Sequence, residues 1–186
     1  MTYNICTQPS TPRLDALPTY KIIDYPLETR DYKPFAQTRL CVTPAELMVQ
    51  MWAFEMVPSK ESTLEAVFTT ASSQKLLFAR CAAEGKVSCF VRTPQGDRPL
   101  TAISHSLSGE DLQGIYWGIT ITLPRTLLEE LFGKGAVDVG STLLGNIYKL
   151  SDNKEKPHKG SLAPADFAGG REYALGSMAE FKIVNY

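Results

Sequence analysis

The segment from residue 115 to residue 123 carries the strongest structural signal in the sequence, because apolar side chains occur there at every second position. A period of two is that of a β-strand with one buried face. The segment therefore predicts a strand that other elements must cover on one side. Its apolar residues are Ile115, Trp117, Ile119, Ile121 and Leu123.

The other apolar segments are also short, and residues such as Gly, Pro and Ser separate them. This spacing is typical of strands that are joined by turns and hairpins. The further predicted strands occupy residues 20–27, 39–42, 47–56, 64–70, 75–83, 87–92, 100–107, 142–150 and 177–184.

One helix is predicted directly after the alternating strand. Pro124 stands at its first position, an apolar stripe includes Leu127, Leu128 and Leu131, and Gly133 ends it. About nine short strands, one short helix and no βαβ alternation predict an all-β fold, an antiparallel β-sandwich of the jelly-roll kind.

The length of 186 residues favours one folded domain, since a domain takes roughly 150 residues. Residues 1–18 are rich in Pro, Ser and Thr and predict a loose N-terminal arm. Residues 19–186 are then the sandwich domain.

Charge and hydropathy limit the partners and the compartment. The chain has 19 basic and 20 acidic side chains and a net charge of −1, so we expect neither nucleic acid nor a membrane surface as a partner. No apolar run approaches the ~20 residues of a membrane span. Without a signal-peptide pattern at its start, the sequence predicts a cytoplasmic protein, or an extracellular one if a leader has been removed.

Catalytic motifs are missing from the sequence. There is no G-x-S-x-G motif, and His105 and His158 are the only histidines. No metal-binding motif of the H-E-x-x-H or C-x-x-C type occurs either. We therefore expect no catalytic residues. One enzymatic alternative stays open, a glycoside hydrolase that uses Glu55 and Glu65 as its paired carboxylates.

Polar residues within the predicted strands are candidates for ligand contacts. Trp52 shares a strand face with Gln50 and Phe54, so it is either core or part of a ligand face. Glu65 and Arg80 occur on adjacent predicted strands, where an ion pair between them is an alternative to ligand binding. Asn146 is at least as well explained as a buried structural amide.

Five segments, taken in order, resemble the family 9 carbohydrate-binding modules and their stand-alone bacterial relatives. The resemblance covers the chain from about residue 20 to its end. The segments are TRLCVTPAELMVQMWAFEM (38–56), STLEAVF (62–68), GIYWGITITLPRTLL (114–128), LLGNIYKL (143–150) and PHKGSLAP (157–164).

The resemblance implies a jelly-roll-like sandwich, often calcium-bearing, that binds a mono- or oligosaccharide without catalysis. In such modules a strand carries an acidic residue, the next strand a basic one, and a later G-N-x-Y segment an amide. Together with Trp52 on its mixed face, the site residues that this implies are Glu65, Arg80, Asn146, His158 and Ser161.

Two departures from the family pattern affect the predicted site. Leu162 stands where the family carries a stacking tryptophan, and residues 57–62 replace a stretch with tryptophan and aspartate. The sequence therefore predicts an altered or weakened sugar site. A protein-interaction or structural sandwich that has lost sugar binding is the alternative from another functional class.

Overall fold

Thirteen strands and one α-helix form the regular structure of residues 1–31, 33–111 and 114–185, which the computed structural model describes. The helix α1 spans Arg125–Phe132 and ends at Gly133, as the sequence predicts, but Pro124 is its N-cap and not its first residue. The strands are β1 (Thr2–Thr7), β2 (Tyr20–Ile22), β3 (Phe35–Val42), β4 (Glu46–Glu55), β5 (Ser62–Thr69), β6 (Leu76–Ala82), β7 (Val87–Thr93), β8 (Gly96–Leu100), β9 (Ile103–Asp111), β10 (Gly114–Pro124), β11 (Thr142–Ser151), β12 (His158–Ser161) and β13 (Ala179–Val184).

The strands form one long sheet in the order β8-β7-β6-β5-β11-β13-β1-β3-β4-β10-β9, with β12 beside β11 and β2 beside β3. The all-β prediction is confirmed. The antiparallel prediction is only partly right, because β1 runs parallel to both of its neighbours, β13 and β3. Parallel neighbours need long crossover connections, so no turn motif in the sequence marks them.

The first 18 residues do not form the loose arm that their composition predicts, since they include β1. Ile5 is fully buried, and the ring of Tyr3 stacks on Phe181 of β13 with centroids 5.5 Å apart. Only two apolar side chains alternate with polar ones in this strand. Its stability comes from its two neighbours in the sheet, which a local sequence window does not contain.

The sheet curls so that its two halves face each other across one core. Alternate residues of β3, β4 and β10 on one side, and of β5, β6, β7 and β11 on the other, belong to the same buried apolar cluster. Met51, Ile119, Leu64 and Leu77 are among its fully buried members. Each strand of these halves therefore has an inner face toward this core and an outer face.

Both outer faces are partly covered. Over β5, β6 and β11, the segment 162–178 contributes Phe167 and Tyr173 to a second apolar cluster. Over β3 and β4, Leu14 and Leu17 pack on Cys41 and Met48. None of the described helices is long and apolar enough to cross a membrane.

Candidate functional site

The six residues that the sequence predicts for sugar contact are not brought together in one cleft. Trp52 lies on the outer face of β4 and is half-buried. Glu65 and Arg80 lie on the outer face of β5 and β6, in the opposite half of the sheet. The others lie on β11 and β12.

Glu65 and Arg80 form the cross-strand ion pair that their positions predict. They are direct neighbours in the β5–β6 register, and Arg80 Nε donates to Glu65 Oε2 over 2.6 Å. The other carboxylate oxygen, Oε1, accepts a 2.7 Å hydrogen bond from the Tyr173 hydroxyl. Glu65 is fully buried, so segment 162–178 closes this position and both of its oxygens are used within the chain.

The Tyr173 hydroxyl lies in a buried environment next to the Glu65 carboxylate. Burial raises the pKa of this hydroxyl, and the neighbouring Glu65 carboxylate raises it further. Tyr173 therefore stays protonated and remains a hydrogen-bond donor to Glu65.

Asn146 is the structural amide that the sequence left as an alternative. Its side-chain nitrogen donates to the carbonyl oxygens of Ala163 and Ser177, over 2.9 and 2.8 Å. Its oxygen accepts from the backbone N–H groups of Ile147 and Ala163. One fully buried side chain thus holds both ends of the covering segment.

The predicted site residue Ser161 and its neighbour Leu162 are both buried at the end of β12. Ser161 is buried, and its hydroxyl donates to Asp24 Oδ2 over 3.4 Å. Leu162 is 4% exposed and belongs to the core. Leu162, which the resemblance aligns with the family's stacking tryptophan, therefore packs in the core.

A cavity of about 450 Å³ opens between the β4–β5 and β11–β12 connections. This volume lies within the range of ≈ 300–1,000 Å³ that is usual for small-molecule sites. The floor of the cavity is polar, and its rim combines exposed apolar residues with the exposed charged residues Arg30, Glu155 and Lys156. Its lining residues are Arg30, Pro34, Glu55, Met56, Val57, Pro58, Ser59, Ser62, Ser151, Asn153, Glu155, Lys156 and His158.

Glu55 stands at the centre of the floor. It follows Leu47, Val49, Met51 and Ala53 on the inner face of β4, which directs its carboxylate into the sandwich. A charged side chain at such a core-facing position costs desolvation free energy unless polar partners compensate the charge. The partners are Lys149 Nζ at 3.2 Å from Oε1, Ser62 Oγ at 3.1 Å from Oε1, and Trp117 Nε1 at 2.9 Å from Oε2.

His158 completes the buried cluster. Lys149 Nζ donates to His158 Nε2 over 2.8 Å, and His158 Nδ1 donates to the Lys156 carbonyl oxygen over 3.1 Å. This pattern assigns the neutral ring with its proton on Nδ1. Burial, reinforced by the Lys149 charge, lowers the pKa of His158 to about 4. Burial also lowers the pKa of Lys149 to about 8, against the opposing attraction of Glu55.

The sequence does not single out Lys149, although a signal for it exists. It lies in phase with the apolar residues Leu143 and Ile147 of β11, where a lysine is unusual. Glu55 lies in phase with apolar residues of β4 in the same way. When two strands each carry a residue of opposite charge at a core-facing position, the pattern predicts a buried ion pair.

The hydrolase alternative is not supported by this geometry. Glu55 bonds Ser62, on the inner face of the β5 region, whereas Glu65 projects from the outer face with Val67. The Glu55 carboxylate therefore lies on the inner side of the β5–β6 layer and the Glu65 carboxylate on its outer side. A glycosidase needs both to flank the same glycosidic bond.

Calcium enters only through the family resemblance, which implies that such modules often carry it. Among the described residues, no three side chains of His, Cys, Asp or Glu converge in a way that could hold a metal ion. In the acidic turn after β11, Asn153 Oδ1 already accepts the backbone N–H groups of Glu155 and Lys156. The described residues thus do not form a carboxylate cluster of the kind that calcium prefers.

No protein-family model matches the sequence, and a search of curated proteins finds no relative. Solved structures do match. A proposed carbohydrate-binding protein from Bacteroides uniformis superposes with a TM-score of 0.75 at 15% identity, over 98% of each chain. A family 9 carbohydrate-binding module from Caldicellulosiruptor kristjanssonii in complex with cellotriose gives 0.66 at 8% identity, over 100% of this chain and 95% of that one.

The chain has the fold of a family 9 carbohydrate-binding module. A structure of the Caldicellulosiruptor module in complex with glucose agrees, with a TM-score of 0.65 at 8% identity over 100% of this chain and 97% of that one. The family 9 resemblance is therefore confirmed at the level of the fold. At such low identity the family 9 fold does not by itself assign a ligand or a site.

Proposed function

We propose that this protein binds a saccharide without catalysis, and that the cavity above Glu55, Lys149 and His158 is the altered sugar site. The observation that carries the proposal is the placement of a charged, hydrogen-bonding cluster at the floor of an open cavity. Buried charges in a sandwich interior are costly, and their position beside a cavity suits a ligand that shares their hydrogen bonds.

The chemistry of the lining suits a sugar. Ser59, Ser62, Ser151 and Asn153 offer hydroxyl and amide groups that donate and accept hydrogen bonds. Pro34, Met56, Val57 and Pro58 offer apolar surface for the C–H faces of a pyranose ring. Met56 and Val57 are 71% and 69% exposed, so this surface faces solvent at the mouth.

The fold neighbours support the same ligand class. The Caldicellulosiruptor modules hold cellotriose and glucose, and we infer a neutral saccharide for this chain too. The described lining of the cavity contains no Phe, Tyr or Trp, and serine, proline and methionine side chains provide its contact surface instead. An affinity in the millimolar range is therefore expected.

Calorimetric titration with glucose and cellobiose tests the proposal. We expect saturable binding to the native protein and its loss in Ser59→Ile, which fills the cavity with an apolar side chain. Ser72→Ile is the matched control, because Ser72 lies on the exposed turn between β5 and β6 and lines a separate, shallow depression. Absence of binding at high millimolar sugar, or equal binding by both variants, would overturn the proposal.

A further inference from the structure

A second candidate surface lies on the outer face of β3, β4, β10 and β9, where the strand register lines up side chains in rows. Phe35, Phe54 and Tyr116 are consecutive cross-strand neighbours, and Gly109 follows them on β9. Cross-strand neighbours lie about 5 Å apart. The three aromatic residues therefore form a continuous row, which we call the aromatic row.

Trp52 lies beside this row, two residues along β4 from Phe54. Its ring centre is 5.8 Å from that of Phe35, with an angle of 61° between the planes. Its cross-strand neighbour on β10 is Gly118, whose position leaves no room for a side chain. A Cβ there would come within 2.2 Å of the Met51 carbonyl oxygen and 2.6 Å of Trp52 Cα.

The glycine on β9 has a related role. A Cβ at Gly109 would lie 2.1 Å from the Tyr116 hydroxyl, so the Tyr116 ring lies across the bare backbone of β9. Tyr116 and Phe35 remain 38% and 40% exposed, although aromatic side chains in a sheet are usually covered. Gly109 thus lets the Tyr116 ring lie low over the sheet as part of a shallow, exposed aromatic surface.

A polar row runs parallel to the aromatic row on the other side of Trp52. Arg39, Gln50 and Thr120 are cross-strand neighbours. Arg39 Nη1 donates to Gln50 Oε1 over 3.2 Å, and Gln50 Nε2 donates to Thr120 Oγ1 over 3.4 Å. Same-face residues two apart along a strand are about 7 Å apart. A ring stacked on Trp52 therefore has hydrogen-bonding groups at its edge.

This surface adjoins the cavity. Pro34, which lines the cavity, precedes Phe35 of the aromatic row, while Glu55 and Met56 of the cavity follow Phe54. The aromatic row therefore borders the cavity mouth around the end of β4. Segment 14–17 packs on the same outer face farther along β4, at Cys41 and Met48, and leaves the aromatic end exposed.

We propose that the aromatic row, Trp52 and the polar row bind successive units of an extended neutral glycan of equatorially linked pyranose rings. Such a chain is a flat ribbon with apolar C–H faces and hydroxyls at its edges. The aromatic rings match its faces, and the amide of Gln50 matches the hydroxyls at its edges. The proposal rests on the proposed function, because the cavity would hold a unit of the same chain.

The two cations near this surface already have partners within the chain. Lys21 lies 5.8 Å from the Phe35 ring centre, and Arg39 is already engaged, since its Nε donates to Thr19 Oγ1 over 2.9 Å. The aromatic surface itself carries no formal charge. A neutral polyol can stack there without a counter-charge.

Affinity as a function of chain length tests the proposal, with glucose, cellobiose and cellotetraose as probes. For the native protein we expect the affinity to rise about tenfold or more from glucose to cellotetraose, the effect of one or two aromatic contacts. Tyr116→Ala and Trp52→Ala should remove most of this rise and leave the affinity for glucose within about twofold. Trp52→Phe should retain part of the rise, because it keeps a ring.

Ile103→Ala is the matched control. Ile103 is 61% exposed and lies on the same outer face beyond the polar row, opposite Thr122. Its removal should leave the chain-length dependence unchanged. Circular dichroism of each variant verifies that the fold is intact, and Tyr116→Ala, at a more exposed position, is the variant to rely on if Trp52→Ala unfolds.

The outcomes separate the two proposals. A chain-length dependence that is absent, or that persists in both Tyr116→Ala and Trp52→Ala, overturns this inference and leaves glucose binding in the cavity intact. If the native protein does not bind glucose but binds cellotetraose through Tyr116, the cavity proposal is overturned and the aromatic row is retained as a binding surface. Preference for an acidic polysaccharide overturns the neutral assignment. A native dimer that Tyr116→Ala dissociates in sedimentation overturns the glycan as occupant.

Discussion

Lys149 Nζ lies 3.2 Å from Glu55 Oε1, and the two residues are 0% and 7% exposed at their side chains. The pair joins β11 to β4 across the sandwich interior, at the floor of the cavity. Lys149 also lies 5.4 Å from the centre of the Trp117 ring, whose N–H holds the other carboxylate oxygen. The two halves of the sheet are thus linked by charge as well as by apolar contact.

The first prediction concerns the stability of this pair. Removing one partner of a buried ion pair leaves an uncompensated charge and costs about 3–5 kcal/mol. We expect Glu55→Gln and Lys149→Met each to lower the free energy of unfolding by about this amount, measured by urea denaturation.

The double variant Glu55→Gln/Lys149→Met provides the control. It removes both charges, so its loss of stability should be smaller than the sum of the single losses. Additive losses would mean that the two side chains do not interact in the folded protein.

The second prediction concerns pH. The folded protein keeps His158 neutral, with its pKa at about 4, because of burial and of the neighbouring Lys149 charge. The unfolded chain binds a proton at this residue below pH ~6.5. The contribution of His158 to stability is therefore fully present above pH ~6.5 and is lost as the pH falls toward 4.

Denaturation midpoints between pH 4 and pH 7 measure this effect. His158→Gln should flatten the dependence, since its amide accepts from Lys149 without titrating in this range. His105→Gln, on the exposed strand β9, should keep the native slope. Identical slopes for His158→Gln and the native protein would rule out His158 as the source.

The third prediction concerns the covering segment. Asn146→Ala removes the amide that holds the backbone of Ala163 and Ser177, and leaves those buried groups without partners. Each such group costs about 1–3 kcal/mol, so we expect a loss of roughly 3 kcal/mol or more. Limited proteolysis should cut residues 163–177 faster than in Asn4→Ala, a control at an exposed position. Equal cleavage rates would contradict the clamping role.

The fourth prediction concerns Glu65. Tyr173→Phe deletes the hydroxyl that donates to Glu65 Oε1 while the ring keeps its contacts with Phe78 and Tyr148. A hydrogen bond to a charged group contributes about 1.5–3 kcal/mol, and we expect a loss of that order in thermal or urea denaturation. An unchanged stability would mean that Oε1 is hydrated in solution.

Local features of the fold were predictable from the sequence. The strict alternation of residues 115–123 gave strand β10, and the proline–glycine pair around residues 124–133 gave helix α1. The Glu65–Arg80 pair was predictable because β5 and β6 are consecutive strands, whose register follows from their alternation. In each case the deciding residues lie close together along the chain.

The cavity floor could not be predicted in the same way. Lys149 and His158 lie on the consecutive strands β11 and β12, but Glu55 lies on β4, and its contact with them depends on how the sheet curls over the core. The face of each residue was predictable, but not the strand opposite it. The placement of Trp52 away from Glu65 has the same cause, since the two belong to opposite halves of one curled sheet.

Strand β1 makes the sheet continuous, and this has a kinetic consequence. Thr2 pairs with Glu180, so a contact in the middle of the sheet joins residues 178 positions apart. Closing so long a loop costs entropy before the contact repays it, which places such pairings late in folding. Until β1 docks, the two halves of the sheet expose unpaired edges, which are the part of an intermediate most prone to aggregate.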